Sequence, residues 1–116
     1  MAHYKDLLVY QRGFEFVRLI YRLTLKFPKE ELYGLTSQLR RAVVSVIANI
    51  AEGQGKSTEK DFLKFLYISN GSLNECECYL DLSLSLGYIT QEQFDFIFKR
   101  HQEVRYLLSR LIASKV

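Results

Sequence analysis

Apolar side chains recur at steps of three and four residues in four separate stretches of this chain, and that step is the period of one face of an α-helix. The stretches predict helices over about residues 7–26, 36–52 and 59–86, and a fourth helix that starts after residue 90. No stretch shows a convincing alternation of period two, the pattern of a half-buried strand. Four amphipathic helices with short connections predict an all-α protein, an antiparallel up-down four-helix bundle that forms a single domain over residues 1–116.

Local signals mark the ends of these helices. Pro28 follows the first helix, and it disfavours helical geometry at the residue before it and has no N–H to donate. The segment Thr58-Glu59-Lys60-Asp61 resembles a capping box with Asp in the place of Glu, and Thr90-Gln91-Glu92-Gln93 is a standard capping box. Gly87 lies where the third pattern stops. We therefore expect the third helix to begin after Thr58 and the fourth to begin after Thr90.

The third predicted helix contains the dipeptide Asn70-Gly71, which between apolar residues is a strong signal for a β-hairpin. The apolar steps of four and three continue through this dipeptide without a slip, whereas a hairpin would interrupt them. We therefore predict one unbroken helix. A glycine inside a helix costs about 1 kcal/mol relative to alanine, and we expect close approach of another backbone to compensate. Small residues near Gly71 are expected to form a seam against the second helix: Ser69, Ser72 and Cys76.

The stretch "VVSVIANIAEGQGKST" suggests a phosphate-binding P-loop, since an apolar run is followed by Gly55-Lys56-Ser57. A P-loop has the pattern G-x-x-x-x-G-K-[ST], in which the first glycine makes the tight turn around phosphate. That position is Ile50 here, and the apolar run before it has the helical period. The glycines are therefore interpreted as the end of the second helix and a turn.

No catalytic, metal-binding or cofactor-binding pattern is present, and we expect neither enzymatic activity nor a cofactor. Cys76 and Cys78 are two residues apart, so on a helix they point in different directions and make a poor metal site. His101 lies in the apolar seam of the fourth helix, which is typical of a histidine at the edge of the core with one hydrogen bond. His3 lies near the terminus, so no histidine pair is apparent.

Composition fits an ordinary cytoplasmic protein. The chain has 116 residues, 48% of them hydrophobic, and a formal net charge of +3. No run reaches the roughly 20 apolar residues that span a membrane, and the first ten residues lack the layout of a signal peptide. A charge of +3 permits an anionic partner without requiring one.

Two segments carry a resemblance to a known family: "SQLRRAVVSVIANIAEGQGK" at 37–56 and "FLYISNGSLNECECYL" at 65–80. They resemble the bacterial four-helix-bundle family of 23S rRNA intervening-sequence proteins, and more distantly the accessory variability determinants of diversity-generating retroelements. The resemblance implies a bundle that assembles into a homopentamer. For the retroelement relatives it also implies a basic surface that binds nucleic acid and a reverse transcriptase.

A polar line on the second helix coincides with the residues matched in this resemblance, and two residues of the third helix lie across from it. The set is Gln38, Arg41, Ser45, Asn49 and Glu52, with Ser72 and Glu75. In a structural interpretation these residues form a hydrogen-bonded, ion-paired network inside the bundle or between subunits, where burial of Arg41 requires a carboxylate such as Glu52 or Glu75. In a functional interpretation Arg41 contacts a ligand.

Two functions from different classes remain. The first is an accessory protein that binds the backbone of RNA or DNA, based on basic residues at helical spacing: Arg18, Arg22, Lys26, Lys99, Arg100 and Arg110. Five subunits would raise the charge to about +15, and phosphate affinity grows with the number of contacts. The alternative is a structural or protein-interaction module that uses aromatic residues outside the seams: Tyr10, Phe14, Tyr67, Tyr79, Phe98 and Tyr106.

Overall fold

The computed structural model describes residues 3–116 and contains four α-helices. They are α1 (Leu8–Thr24), α2 (Leu35–Gln54), α3 (Glu59–Ser85) and α4 (Gln91–Ala113), with single 3-10 turns at Tyr4–Asp6 and Lys29–Glu31. No strand occurs within residues 3–116. Helix α1 packs against α2 and α4, and α3 packs against the same two, with the most extensive contact between α2 and α3. The predicted all-α four-helix bundle is confirmed, in a body of 43 × 25 × 20 Å.

The predicted seams of the four helices meet in one apolar core. Each helix contributes side chains with essentially no exposure to solvent, because the stripe with period three and four turns toward the other helices. The largest of these apolar side chains are Phe16, Ile20, Leu39, Val43, Val46, Ile50, Leu66, Leu73, Leu80, Val104 and Leu108. Burial of a Leu, Ile or Phe side chain contributes about 1.5–3 kcal/mol, so this core is the main source of stability.

The ends of the helices follow most of the predicted signals. Thr90 and Gln93 form a complete capping box at the start of α4, whereas Thr58 caps α3 through one bond only, accepted from the backbone N–H of Asp61 at 3.1 Å. Gly87 has a φ of +77°, the left-handed conformation that favours glycine. Helix α1 ends at Thr24, two residues before the predicted end.

Helix α3 continues through Asn70-Gly71 without interruption, as predicted. The expected close approach at Gly71 is wrong, because a Cβ added at Gly71 would meet nothing within 4 Å. Close approaches between helices lie at two other glycines: a Cβ at Gly13 would lie 2.7 Å from Cγ2 of Ile47, and one at Gly53 would lie 2.8 Å from Cδ1 of Phe62.

The small-residue seam of α3 does face α2, and it does so through hydrogen bonds. The hydroxyl of Ser69 donates to the backbone oxygen of Val46 at 2.7 Å, and the hydroxyl of Ser72 donates to that of Ser45 at 2.8 Å. Small side chains let the two helices approach closely, and their hydroxyls find partners in the neighbouring helix. The seam therefore joins α2 and α3 into one tightly packed layer.

Polar side chains also join α3 to α4. The guanidinium of Arg105 donates to the side-chain oxygens of Asn70 at 3.3 Å and Asn74 at 2.7 Å, and it lies 3.6 Å from Glu77. His101 was expected at the edge of the core, but it is 0% exposed. Its Nε2–H donates to the backbone oxygen of Leu73 at 2.7 Å, and its Nδ1 lies 3.1 Å from the side-chain nitrogen of Gln102. A carbonyl oxygen can only accept, so Nε2 carries a hydrogen, and an amide N–H can only donate, so Nδ1 accepts from Gln102; this is the neutral Nε2–H tautomer.

Candidate interaction surfaces

The six basic residues predicted to bind nucleic acid all lie exposed on α1 and α4 or the turn that follows α1. On α1, Arg18, Arg22 and Lys26 are four residues apart, opposite the buried stripe of Phe16 and Ile20. Steps of four advance 40° beyond a full turn, so this row drifts around the helix toward α4. Within residues 3–116, none of the three has an ion-pair partner within 4.0 Å.

On α4, Lys99 also lacks an ion pair among the described residues. The other two predicted basic residues of α4, Arg100 and Arg110, each lie over an aromatic ring one turn earlier in the helix. Cζ of Arg100 is 5.3 Å from the ring centroid of Phe96, and Cζ of Arg110 is 5.8 Å from that of Tyr106. These distances are within the range of cation–π attraction, which orients a guanidinium and leaves its charge unneutralised.

The charge of the chain is concentrated on this pair of helices. Residues 8–26 and 91–113 contain eight of the 16 Lys and Arg residues but four of the 13 carboxylates, a net charge of +4 against −1 for the rest. One of the eight, Arg105, faces α3. Arg12 lies 3.4 Å from Glu15 and 3.8 Å from Glu103, so two of the four carboxylates share one cation. We call this surface the α1/α4 face, and it is basic.

A cleft of about 600 Å³ opens in the α1/α4 face between the end of α1 and the start of α4. Its apolar lining comes from Leu19, Leu23, Phe96 and Ile97, and Arg22 and Lys26 also line it, with Glu92 among the residues of the α4 side. Sequence reasoning missed this cleft and the role of Phe96, because the distance between two helices is set by packing. The available signal was Phe96 outside the seam with Arg100 four residues later.

The opposite side of the bundle, formed by α2 and α3, carries the predicted polar line, and the structure brings only part of that line together. The side-chain nitrogen of Asn49 donates to the backbone oxygen of Ser45 at 2.8 Å and to its hydroxyl at 2.9 Å, and that hydroxyl also accepts from Ser72. Glu52 is separate and pairs with Lys56 at 3.2 Å.

Arg41 is exposed rather than buried, and neither Glu52 nor Glu75 lies within 4.0 Å of it in the described part of the chain. It lines an open notch of about 200 Å³ together with Gln38, Ala42, Ser45 and Glu75. A buried ion pair of Arg41 within one subunit is therefore not observed. The notch presents a cation and a carboxylate side by side to solvent.

A second, solvent-facing stripe with steps of three and four runs along both helices of this side, which we call the α2/α3 face. Most of its members are small or apolar, although all except Ser37 are exposed: Ser37, Arg41, Val44 and Ala48 on α2, and Ile68, Gly71, Glu75, Cys78 and Leu82 on α3. Exposed apolar residues grouped in this way usually mark a contact surface. This stripe was not predicted from the sequence, because the buried stripe of each helix has the stronger apolar pattern.

The aromatic residues predicted to form an interface separate into two groups. Tyr10 and Tyr79 pack against the core, and Phe98 stacks between Phe94 and His101. The other three are exposed on different helices: Phe14, Tyr67 and Tyr106. The six therefore do not form one surface.

Metal and nucleophile chemistry receives little support from the described residues. No group of three or more His, Cys, Asp or Glu side chains within residues 3–116 is placed to hold a metal ion. Burial raises the pKa of the Cys76 thiol to about 12, so this thiol stays protonated at neutral pH. None of the helices between residues 3 and 116 combines the length and the apolar character that a membrane crossing requires.

The fold and these two faces place the protein in the class of small four-helix bundles with surfaces suited to interaction, here a basic α1/α4 face and an α2/α3 face with exposed apolar residues. The 23S rRNA-intervening sequence protein family matches residues 5–110, and the chain belongs to that family. It is also similar, with 29% identity and a TM-score of 0.81, to a crystal structure from Bacteroides thetaiotaomicron described as a protein with unknown function from the S23 ribosomal protein family. That similarity covers 90% of this chain and 98% of the other. Among curated proteins, none matches this sequence significantly.

Proposed function

We propose that the protein is a non-enzymatic cytoplasmic accessory factor that binds the backbone of RNA or DNA through its α1/α4 face and self-associates through its α2/α3 face. The observation that carries the proposal is the segregation of charge: four basic residues without ion-pair partners and two stacked arginines share the α1/α4 face. Free cations neutralise phosphates and release the counterions of a nucleic acid, and this release is the main source of nonspecific affinity.

The expected binding is weak for one subunit and strongly dependent on salt. If four cations of one subunit contact phosphates, the logarithm of the affinity falls with a slope of about −4 against the logarithm of the salt concentration on duplex DNA. Contacts to phosphates carry no sequence information, so RNA and DNA of different sequences are expected to bind alike.

Self-association rests on the α2/α3 face. Exposed Ile68 and Leu82 lie on the same stripe of α3 as Gly71, whose missing side chain leaves room for a neighbour's backbone. Arg41 and Glu75 belong to the same stripe and provide a cation and an anion to a second subunit. A homopentamer, as the family resemblance implies, is the assembly we propose.

A second candidate function is a structural or protein-interaction module. The specific observation in its favour is the same exposed apolar stripe of α3, because such a surface also fits another protein, for example a reverse transcriptase. In that case Ile68 and Leu82 would contact the partner in place of a second subunit.

Fluorescence anisotropy with labelled RNA and DNA, at salt concentrations from about 50 to 300 mM, tests the main proposal. The variant R22A/K26A/K99A removes three cations of the α1/α4 face and should weaken binding and flatten the salt dependence. The control K29A/K60A/K64A removes the same charge elsewhere, at exposed positions, and should bind more tightly than the first variant. Absence of binding near 50 mM salt, or equal losses in the two variants, would contradict the proposal.

Light scattering tests self-association and separates the two candidate functions. A mass well above 13.6 kDa supports assembly of the chain with itself. A monomer that captures a polymerase through the α2/α3 face, and loses it in the variant L82K, would support the protein-interaction module.

A further inference from the structure

Helix α4 carries two exposed aromatic rings, and their placement bears on the form of nucleic acid that the α1/α4 face takes. Phe96 is 47% exposed and Tyr106 is 60% exposed, and each has an arginine four residues later. Exposed aromatic side chains next to arginines are the elements that bind unpaired bases, because every base has a π-face that can stack on a ring or a guanidinium. In a duplex those π-faces are covered by neighbouring base pairs, and the rings have no partner there.

We propose that the α1/α4 face binds single-stranded nucleic acid in preference to duplex, with unpaired bases stacking at Phe96 and Tyr106 and phosphates held by the free cations around them. This inference rests on the proposed function and adds the form of the nucleic acid to it.

The spacing of the two rings suits one strand. They are ten residues apart on α4, which corresponds to about 15 Å along the helix axis. A stacked strand advances about 3.4 Å per nucleotide, so four or five nucleotides span the two rings. Lys99 lies between them in the sequence and is exposed on the same helix, in a position to contact the intervening backbone.

The cleft beside Phe96 provides room for a base at one of the two platforms. Leu19, Leu23 and Ile97 line it with apolar surface, and Arg22 and Lys26 provide charge for the attached phosphate. Its volume of about 600 Å³ lies within the range of small-molecule pockets, about 300–1,000 Å³. A base that is paired in a duplex cannot enter such a cleft without first leaving the helix.

Two carboxylates of α4 limit where phosphates can lie. Glu103 is between the two platforms and is paired with Arg12 at 3.8 Å, and Glu92 lies in the cleft wall. Both repel phosphate and leave a base unaffected. Helix α4 therefore alternates sites for bases and phosphates, whereas a duplex backbone favours a continuous row of cations.

The test compares a single-stranded oligonucleotide with its own duplex, at one salt concentration, on the full chain. Oligo(dT) and oligo(rU) serve as the DNA and RNA probes, and each is expected to bind at least about five times more tightly than a duplex of the same length, the low end of one stacking contact. The variant F96L/Y106L keeps apolar side chains and all charges. It should lose about tenfold or more in affinity for the single strands, while its affinity for duplex stays unchanged.

A matched control and a direct readout complete the experiment. The control F14L/Y67L replaces two other exposed aromatic residues and should leave single-strand binding unchanged, with helical content verified by circular dichroism in both variants. The chain has no tryptophan, so F96W introduces a single reporter whose fluorescence should be quenched by stacking on oligo(dT) and not by duplex. Equal affinity for single strands and duplex, or equal losses in the two leucine variants, overturns the inference and leaves the proposed function standing. Absence of binding to every probe overturns both.

Discussion

Replacing Gly71 with alanine is a perturbation for which the structure predicts two opposite effects in one protein. Gly71 lies inside α3 and is exposed. An added Cβ would meet nothing within 4 Å, so the substitution introduces no clash within the subunit. Alanine is favoured over glycine in a helix interior by about 1 kcal/mol. The isolated subunit should therefore become more stable by about that amount.

The expected change in stability at Gly71 can be compared with that at a second glycine, Gly53. A Cβ at Gly53 would lie 2.8 Å from Cδ1 of Phe62, 2.9 Å from Cβ of Phe65 and 3.2 Å from the backbone oxygen of Phe62. Overpacking costs about 1–3 kcal/mol, and with two contacts shorter than 3.0 Å we expect a cost above the gain of about 1 kcal/mol in helix propensity. Gly53→Ala should therefore destabilise the fold, whereas the same change at Gly71 stabilises it.

The assay is urea denaturation followed by circular dichroism at a protein concentration where the chain is monomeric. For an m-value of about 2 kcal/mol per molar urea, a gain of 1 kcal/mol raises the midpoint by about 0.5 M. Self-association of Gly71→Ala is measured by light scattering across a dilution series. If a neighbouring backbone occupies the space above Gly71, the added methyl group should weaken association by about five- to 150-fold, the equivalent of 1–3 kcal/mol.

The urea midpoint and the self-association of Gly71→Ala test two separate predictions. An unchanged midpoint would show that Gly71 costs nothing in α3, which would remove the reason to expect a partner there. A higher midpoint with unchanged association would confirm the open space around Gly71 and refute its place in an interface.

Three further predictions concern the core and the α2/α3 face. Burial is the largest effect on the pKa of His101 and lowers it, against the opposing effect of the hydrogen bond to Leu73. The unfolded chain therefore binds the proton more readily, so the free energy of unfolding should be highest above pH 6.5 and should fall below it by up to about 1.4 kcal/mol per pH unit. Urea midpoints measured from pH 7.5 to 5 should show this decline, and His101→Gln should show a smaller one. Ser69→Ala removes a buried hydrogen bond of 2.7 Å to the backbone of Val46 and should cost about 1 kcal/mol in free energy of unfolding, whereas an unchanged midpoint would show that the bond contributes nothing net. Leu82→Arg adds a positive charge to the α2/α3 face and should disrupt assembly there. If the protein binds nucleic acid as a monomer, the affinity in anisotropy titrations should rise; if binding depends on assembly, the affinity should fall, and we expect it to fall.

Most of the fold could be predicted from the sequence, because the buried side chains of a helix recur at steps of three and four residues. The seam of α3 predicted a helix through Asn70-Gly71 against a strong local signal, because one dipeptide is outweighed by seven positions in phase: Phe62, Leu66, Ser69, Leu73, Cys76, Leu80 and Ser83. The same pattern also contained the answer at Gly71, where our expectation was wrong. Gly71 follows buried Ser69 by two residues, or about 200° around a helix, so it could only face away from α2.

Contacts between helices were less predictable because they depend on the axial register of two helices, which no local pattern specifies. Arg105 donates to Asn70 and Asn74 across the α3–α4 contact. The Asn side chains showed the helical spacing of four, but nothing in the sequence indicated which cation lies opposite. The predicted polar line illustrates the same limit: Ser45 and Ser72 meet, whereas Arg41 stays in solvent.

The positions of the two faces allow self-association and nucleic-acid binding to occur together. In the bundle α1 and α4 form one layer, and α2 and α3 form the other, so assembly through the α2/α3 face leaves the α1/α4 faces of all subunits available. One such face has few free cations and should bind nucleic acid weakly. Several faces held on one assembly would bind the same strand with an effective concentration set by their spacing, so overall affinity would rise without any new contact. Under the proposed function, self-association adds together the charges of +3 per chain, and we expect nucleic-acid binding to depend on it.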